Sequence, residues 1–394
     1  YTYKLLAPTG RAAKVLSQYV EGESAHTIHK AIGYGRKDKD TTEKDEEAKR
    51  ELNEDIIVSD ESGMIDIKLE FAKLKKLTNE YSRLVFIGDS SQIPSVGAGN
   101  FLKNCVDSNV FPVTVLDQVF RQKEGGILDI ATMTRKGEKF IADDFMGEKL
   151  YGKDTLLHSV DQKHMEKGVI HYYEKLLKNY APEDIMVLTY TKKGTLGTHS
   201  LNRKIQNIVN PPSSSLKERK YGEDCTFRVG DYVMNTVNTY EIRDIEGKLL
   251  DIMNGESGKI IDIVTEKDIE DIIKNEKYDE KIGYGHLIGV YVQFDEGVVA
   301  IPFEMLGNLI HAWVLTIHKS QGGNTKAGIL VVDKSHKFNL NANIIYTGVT
   351  RCKERLVILC QAESLNFALR KFENMSRRTF LEELLINESK NYNE

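Results

Sequence analysis

The run Ile56-Ile57-Val58-Ser59-Asp60-Glu61 ends a stretch of β-branched residues in two adjacent carboxylates. A parallel-sheet strand that stops in Asp-Glu delivers both groups to the carboxyl edge, where such sheets bind ligands. In nucleotide hydrolysis an aspartate there holds Mg²⁺, directly or through water, and a glutamate orients and deprotonates the attacking water. Taken alone, this signal is weak, because an acidic pair after a strand is more often a solvated cap. A second run, Phe86-Ile87-Gly88-Asp89-Ser90-Ser91-Gln92-Ile93-Pro94, again ends a strand at a glycine turn and sets Gln92 beside the same edge. A carboxamide both donates and accepts, so it can read a γ-phosphate and a water together. Two arginines complete the set, Arg121 in Phe120-Arg121-Gln122 and Arg351 at the end of Tyr346-Thr347-Gly348-Val349-Thr350-Arg351. Their fixed charge and planar fork of donors suit a transferring phosphoryl group. Supplied from a second domain, Arg351 would act as an arginine finger, so that hydrolysis waits on closure. The expectation is that Asp60, Glu61, Gln92, Arg121 and Arg351 converge on one interdomain crevice for a nucleoside triphosphate, with Asp60 on the metal.

The elements that must position these groups alternate in type. Strands are expected at Tyr3–Ala7, Asp55–Ser59, Arg83–Ile87 and Val113–Leu116, with a helix from Arg11 to about Tyr19. The continuous β-branched run at 56–58 predicts a strand buried on both faces. Strands alternating with helices predict an α/β fold with a parallel sheet. The mixed-charge segment between Lys37 and Asp55 reads as a solvated helix or surface insertion. A second α/β unit begins near Glu166, with a strand at Ile185–Thr189 and a helix at Leu201–Val209 stopped by Asn210-Pro211-Pro212. From Cys225 to Leu306 the texture changes to short alternating runs (Tyr232–Asn235, Lys259–Val264, Val290–Phe294, Val298–Phe303), which predict a small inserted β-barrel. Within it, Glu266–Lys281 reads as a loop or short helix. Buried strands at Gly328–Val332 and Arg355–Cys360 then resume the α/β pattern.

Bulk properties set the frame. A chain of 394 residues predicts two or three domains, and 29% charged with 40% hydrophobic residues is the profile of a globular protein. No apolar run reaches the ~18–20 residues that cross a bilayer, so no membrane partner is expected. Cys105, Cys225, Cys352 and Cys360 are scattered without CxxC spacing and read as reduced thiols in a cytoplasmic protein. The net charge of -5 neither supports nor excludes a nucleic-acid partner, because a motor needs only a local basic groove. Clustered carboxylates with a lysine, as a two-metal nuclease would need, are not found.

With these motifs in place, the sequence resembles the RecD-like branch of superfamily 1, B-type helicases. Leu6-Ala7-Pro8-Thr9-Gly10-Arg11-Ala12-Ala13 looks like motif Ia, and Thr27-Ile28-His29-Lys30 like the element after it. Asp60-Glu61 resembles motif II, Gly88–Gly97 motif III and Phe120-Arg121-Gln122 motif IV. Thr316-Ile317-His318-Lys319-Ser320-Gln321-Gly322 resembles motif V, and Tyr346–Lys353 motif VI. The resemblance implies two RecA-like domains, 1–150 and 151–224 with 307–394, and an SH3-like β subdomain at 225–306. It implies ATP and Mg²⁺ as cofactors, with Gly322 joining Asp60, Gln92, Arg121 and Arg351 as nucleotide contacts. It also implies 5′ to 3′ movement on single-stranded DNA, action on 5′-tailed duplexes, and partners in repair or recombination. Pro8, Thr9, Thr27, His29, Lys192, Lys193, Thr316, His318 and Gln321 would touch the strand. Hydroxyl, imidazole and ammonium groups position a backbone without reading its sequence. Trp313, the only tryptophan, is expected in the core.

The sequence departs from the family in one respect that matters. A P-loop is expected roughly 20–25 residues before motif Ia, whereas Tyr1–Leu5 is all that precedes it and no GxxxxGK[ST] pattern occurs elsewhere. The expectation is a piece of a longer helicase that alone binds ATP poorly and hydrolyses little. Two further departures, Ser62-Gly63-Met64 and Tyr190-Thr191, remove no charge that hydrolysis needs. The alternatives are a translocase on RNA or within a relaxase, and a DNA-binding scaffold that does not hydrolyse ATP.

Overall fold

The computed structural model describes residues 1–20, 22–33, 51–116, 125–268, 288–373, 377 and 379–392. The chain forms two compact units. One comprises Tyr1–Val160, Ser320–Asn324 and Val332–Glu394, and the other Asp161–Lys319 and Thr325–Val331. In this division residues 332–394 group with the first 160. The helix Ala342–Val349 and Arg377 are hydrogen-bonded to the loop 89–99.

In the first unit, four parallel strands lie in the order His26–Thr27, Tyr3–Ala7, Ile56–Ser59, Arg83–Phe86. The chain leaves Tyr3–Ala7 on one side and returns on the other, so a switch point lies between Tyr3–Ala7 and Ile56–Ser59. Such a point opens a crevice at the carboxyl ends of the two strands. Pro8-Thr9 and Asp60-Glu61 follow those ends directly. Leu6, Ile28, Ile57, Ile65, Leu74 and Phe101 form the core beneath the sheet. Ile57 is buried while Ile56 and Val58 are half-buried, so the expected equal cover on both faces is not found. The core forms on the Ile57 side.

The fourth expected strand is corrected. Residues 113–116 carry no regular structure, and Val115 and Leu116 are 75% and 85% exposed. An apolar run becomes a strand only with a neighbour to pair with, and none of the described strands pairs here. The unit also contains the hairpin Gly147–Tyr151/Thr155–Ser159, which the sequence did not announce, and Cys352–Cys360 parallel to its second strand.

In the second unit, Val314–Thr316, Ile185–Thr189 and Thr325–Val332 run parallel. The helices Gln162–Leu176 and Thr198–Val209 belong to the same unit. The expected β insertion is a five-stranded antiparallel sheet. Its order is Val298–Ile301, Gly289–Gln293, Ser257–Val264, Tyr232–Asn235, Leu309–His311. Phe227, Val233, Ile260, Val292, Phe294 and Leu309 fill its core. Gly258 has no room for a side chain, since a Cβ would sit 2.6 Å from the Gln293 carbonyl oxygen. Among the described residues, no helix is long and apolar enough to cross a membrane.

Candidate active site

Asp60 and Glu61 leave the strand Ile56–Ser59 in a tight turn. The Asp60 amide donates to the Leu6 carbonyl at 3.0 Å, tying the turn to the neighbouring strand. Asp60 Oδ1 accepts from the Glu61 amide at 2.8 Å. Glu61 adopts φ 50°, the left-handed region. A non-glycine residue held there costs about 1 kcal/mol or more, and such strain collects where a side chain must be aimed. The turn is locked from below, because Ser62 N donates to the Ile87 carbonyl at 2.8 Å. Gly88 has to be glycine. A Cβ there would lie 2.9 Å from Ser62 N and from Leu102 Cδ2, and 3.0 Å from Gly63 N. The acidic turn and the 88–93 loop are thus packed backbone to backbone.

That loop carries Gln92, and the structure brings Gln92 and Arg351 together. Arg351 Nη2 donates to Gln92 Oε1 at 3.1 Å. Arg351 is 3% exposed. It also donates through Nε to the Thr347 carbonyl at 3.1 Å and through Nη1 to the Gly323 carbonyl at 2.9 Å. Gly322 sits at φ +74°, where a Cβ would meet Thr9 Oγ1 at 3.1 Å and Ala12 Cβ at 3.2 Å. The 322–323 turn therefore lies against the first turn of the helix Gly10–Tyr19. Arg121 lies outside the described residues.

The residues expected to touch a strand fall into two groups. In the first unit, Pro8 is buried and Thr9 half-buried. Thr9 caps the helix Gly10–Tyr19 by accepting from Ala12 N at 3.2 Å, and Thr27 caps the short helix Ile28–Ala31 by accepting from Lys30 N at 3.1 Å. A capping hydroxyl uses a lone pair and keeps its hydrogen to donate. His29 lies 3.4 Å from Glu70, a residue the sequence reading passed over. Burial lowers the His29 pKa, and burial pushes Glu70 up to about 7.

Gln321, expected to touch the strand, faces inward. It is 6% exposed, and its amide donates inward to the Ile93 carbonyl at 3.0 Å. The polar type at motif spacing suggested a ligand contact, but the amide holds the loop that carries Gln92.

In the second unit, Lys192 and Lys193 are exposed on a turn closed beneath by Gly197, where a Cβ would lie 2.4 Å from the Lys193 carbonyl oxygen. Thr316 Oγ1 accepts from Lys319 N at 3.3 Å. The His318 ring stands edge-on to Tyr190 at 6.2 Å. Lys319, also missed, donates to Asn254 at 3.2 Å. Its pKa is lowered by burial first and by repulsion from Lys192 second. Like charges held together make a local positive potential that a phosphate backbone would relieve. Lys319 stands inside the Thr316–Gly322 motif, so charge was the signal available. Trp313 is 1% exposed and stacks on His311 with ring centroids 5.4 Å apart, which makes it core.

A profile described as "AAA domain" matches residues 1–162, one described as "ATP-dependent RecD-like DNA helicase SH3 domain" matches 201–274, and a "UvrD-like helicase C-terminal domain" matches 311–359. The chain is similar to the ATP-dependent RecD2 DNA helicase of Deinococcus radiodurans, 26% identical over 381 residues that cover 96% of this chain and 46% of that protein. It is 21% identical over 422 residues to the RecBCD enzyme subunit RecD of Buchnera aphidicola, covering 90% of this chain and 64% of that one. The chain spans about half the length of the curated relatives it matches. In fold it resembles the Pif1 helicase from Candida albicans, with a TM-score of 0.52 at 18% identity over 99% of this chain and 89% of that chain. The parallel sheets are thus of the RecA-like kind and the antiparallel insertion is an SH3-like subdomain. The matching profiles in chain order and the RecD relatives support a likeness of this chain to the RecD-like superfamily 1 helicases.

Proposed function

We propose that the protein is an ATP-dependent DNA helicase that moves 5′ to 3′ along single-stranded DNA and opens 5′-tailed duplexes. The observation that carries this reading is the bond from Arg351 Nη2 to Gln92 Oε1, in the same compact unit as the Asp60-Glu61 turn. The residues present fit the γ-phosphate end of a magnesium nucleotide. Two carboxylates are too few to cage a metal alone and suit Mg²⁺, which keeps phosphate and water ligands. Mg²⁺ bound with ATP would neutralise charge on the phosphate oxygens. Asp60 would hold the metal. Glu61 would orient the attacking water and take its proton. Gln92 and Arg351 would contact the γ-phosphate, with Gly322 and Arg121 as further nucleotide contacts.

Gln92 Oε1 is a neutral acceptor on a guanidinium donor. An anionic phosphate oxygen makes the stronger hydrogen bond of the two, so the arginine is held in place by a partner a substrate can replace. The strand would run past Pro8, Thr9, Thr27 and His29 in one unit and Lys192, Lys193, Thr316, His318 and Lys319 in the other. The domain bounds 1–150, 151–224 with 307–394, and 225–306 belong to this proposal, as do partners in repair or recombination.

Glu61→Gln keeps the size of the side chain and removes the base, and Arg351→Lys keeps the charge and removes the fork. Each is expected to lower DNA-stimulated ATP hydrolysis by about 100-fold or more, while single-stranded DNA affinity changes less than about threefold. Turnover within about threefold of the unmutated protein in both variants would remove these residues from catalysis. Strand displacement that prefers a 3′ tail would reverse the assigned direction.

A further inference from the structure

We infer that Asn343 and Tyr346 are positioning residues that hold Gln92 against Arg351. The inference rests on the reading that Gln92 and Arg351 act on the nucleotide. Asn343 is 1% exposed, and its amide spans the two carbonyls flanking the critical residue, donating to Ser91 O at 2.9 Å and Gln92 O at 3.2 Å. Its Oδ1 accepts from Glu373 N at 3.0 Å, so both ends of the carboxamide are engaged. Tyr346 donates its hydroxyl to Asp89 Oδ2 at 2.8 Å, and Asp89 Oδ1 accepts from Ser91 N at 2.8 Å. Thr347 Oγ1 accepts from Ile93 N at 3.0 Å.

Residues 343, 346, 347 and 351 recur at helical steps of three and four, so they share one face of the Ala342–Val349 helix and its final turn. Each meets the 89–93 loop, and Arg351 is the last of the series. The loop is therefore bonded at both sides of Gln92 by the element that carries the arginine. Burial and the charge of Asp89 push the Tyr346 phenol well above its ordinary range, which keeps its proton on the donor side of that bond. A buried amide with unmet partners is costly, so Asn343 stabilises the helix–loop pair only in this register. Reacting groups displaced by about 1 Å can lose on the order of 100-fold in rate. Loosening the loop should therefore register in turnover before it registers in binding.

The test uses the full-length protein and the variants Asn343→Ala, Tyr346→Phe, Gln92→Ala and Asn343→Ala/Gln92→Ala. Each single variant is expected to lower kcat for DNA-stimulated ATP hydrolysis by about tenfold, with single-stranded DNA affinity changed less than about twofold. The double variant should be no slower than Gln92→Ala, because Asn343 acts through Gln92. Amide hydrogen exchange across residues 89–93, measured without nucleotide, should rise in Asn343→Ala and in the milder Tyr346→Phe. Losses that multiply in the double variant, or unchanged exchange, would overturn the inference. If Gln92→Ala leaves turnover intact, or the unmutated protein turns over no ATP, the nucleotide reading fails instead. The exchange result then still decides whether Asn343 and Tyr346 hold the loop.

Discussion

Glu70 and His29 illustrate how burial decides the chemistry of a contact that looks ionic. Glu70 is 5% exposed, accepts from Asp66 N at 3.0 Å through one oxygen, and lies 3.4 Å from His29 Nδ1 through the other. The distance fits an ion pair, but burial shifts both groups toward their neutral forms. The nearby Asp66 charge raises Glu70 further. We read the contact as one of neutral imidazole with a carboxyl that titrates near neutrality, so His29 would offer a strand hydrogen bonding rather than charge. The folded carboxyl binds its proton more tightly than the unfolded one. Its contribution to stability is therefore fully present below pH 4.5 and is lost as pH rises to about 7. Glu70→Gln mimics the protonated acid and should remove this slope. In urea melts the variant should gain on the unmutated protein between pH 5 and 8, by on the order of 3 kcal/mol at most. A difference that stays constant across that range would mean the carboxyl is ionised throughout. Nothing at 70 in the sequence marks it, because burial is a property of the fold.

At the level of elements, the strands carrying the site were the most legible. Their β-branched runs end at Gly or Asp-Glu turns, and Tyr3–Ala7 and Ile185–Thr189 appear at their expected bounds. What joins elements was not legible. Asp231 is fully buried and accepts from Arg228 N, Gln206 Nε2 and Asn210 Nδ2, each at 2.7 Å, and lies 3.0 Å from His311 Nε2. One carboxylate thereby ties the helix Thr198–Val209 to strands of the antiparallel sheet. Asp231→Ala would leave several buried donors unmatched and should cost about 3–5 kcal/mol of stability, read as a lowered denaturation midpoint. A loss under about 1 kcal/mol would mean water replaces the carboxylate at no great cost. Such clusters draw single residues from distant places, so no local period announces them. The run 113–116 shows the converse: its residue types suit a strand, yet a strand needs a neighbour, and type alone does not supply one.

For the whole molecule, a net charge of -5 gives no general attraction to nucleic acid, so strand binding would depend on local groups such as Lys192, Lys193 and Lys319. Each phosphate neutralised on a single strand contributes about 0.7 to the slope of log affinity against log salt. Replacing Lys192 and Lys193 together with alanine should reduce that slope by about 1.4 and weaken binding equally across sequences. Fluorescence anisotropy with a labelled oligonucleotide would measure it, and an unchanged slope would take both lysines off the strand's path. By itself, the order of residues determined the α/β class and the inserted β sheet and carried the resemblance to RecD-like helicases, because strand runs, turn residues and reactive side chains are local features. It also named Asp60, Glu61, Gln92 and Arg351. Only the tertiary structure decided that Arg351 reaches Gln92 across 258 intervening residues, that Gln321 turns inward, and that Asn343 and Tyr346 secure the loop between. Those outcomes depend on which surfaces become buried against each other, and burial is settled by packing after the elements have formed.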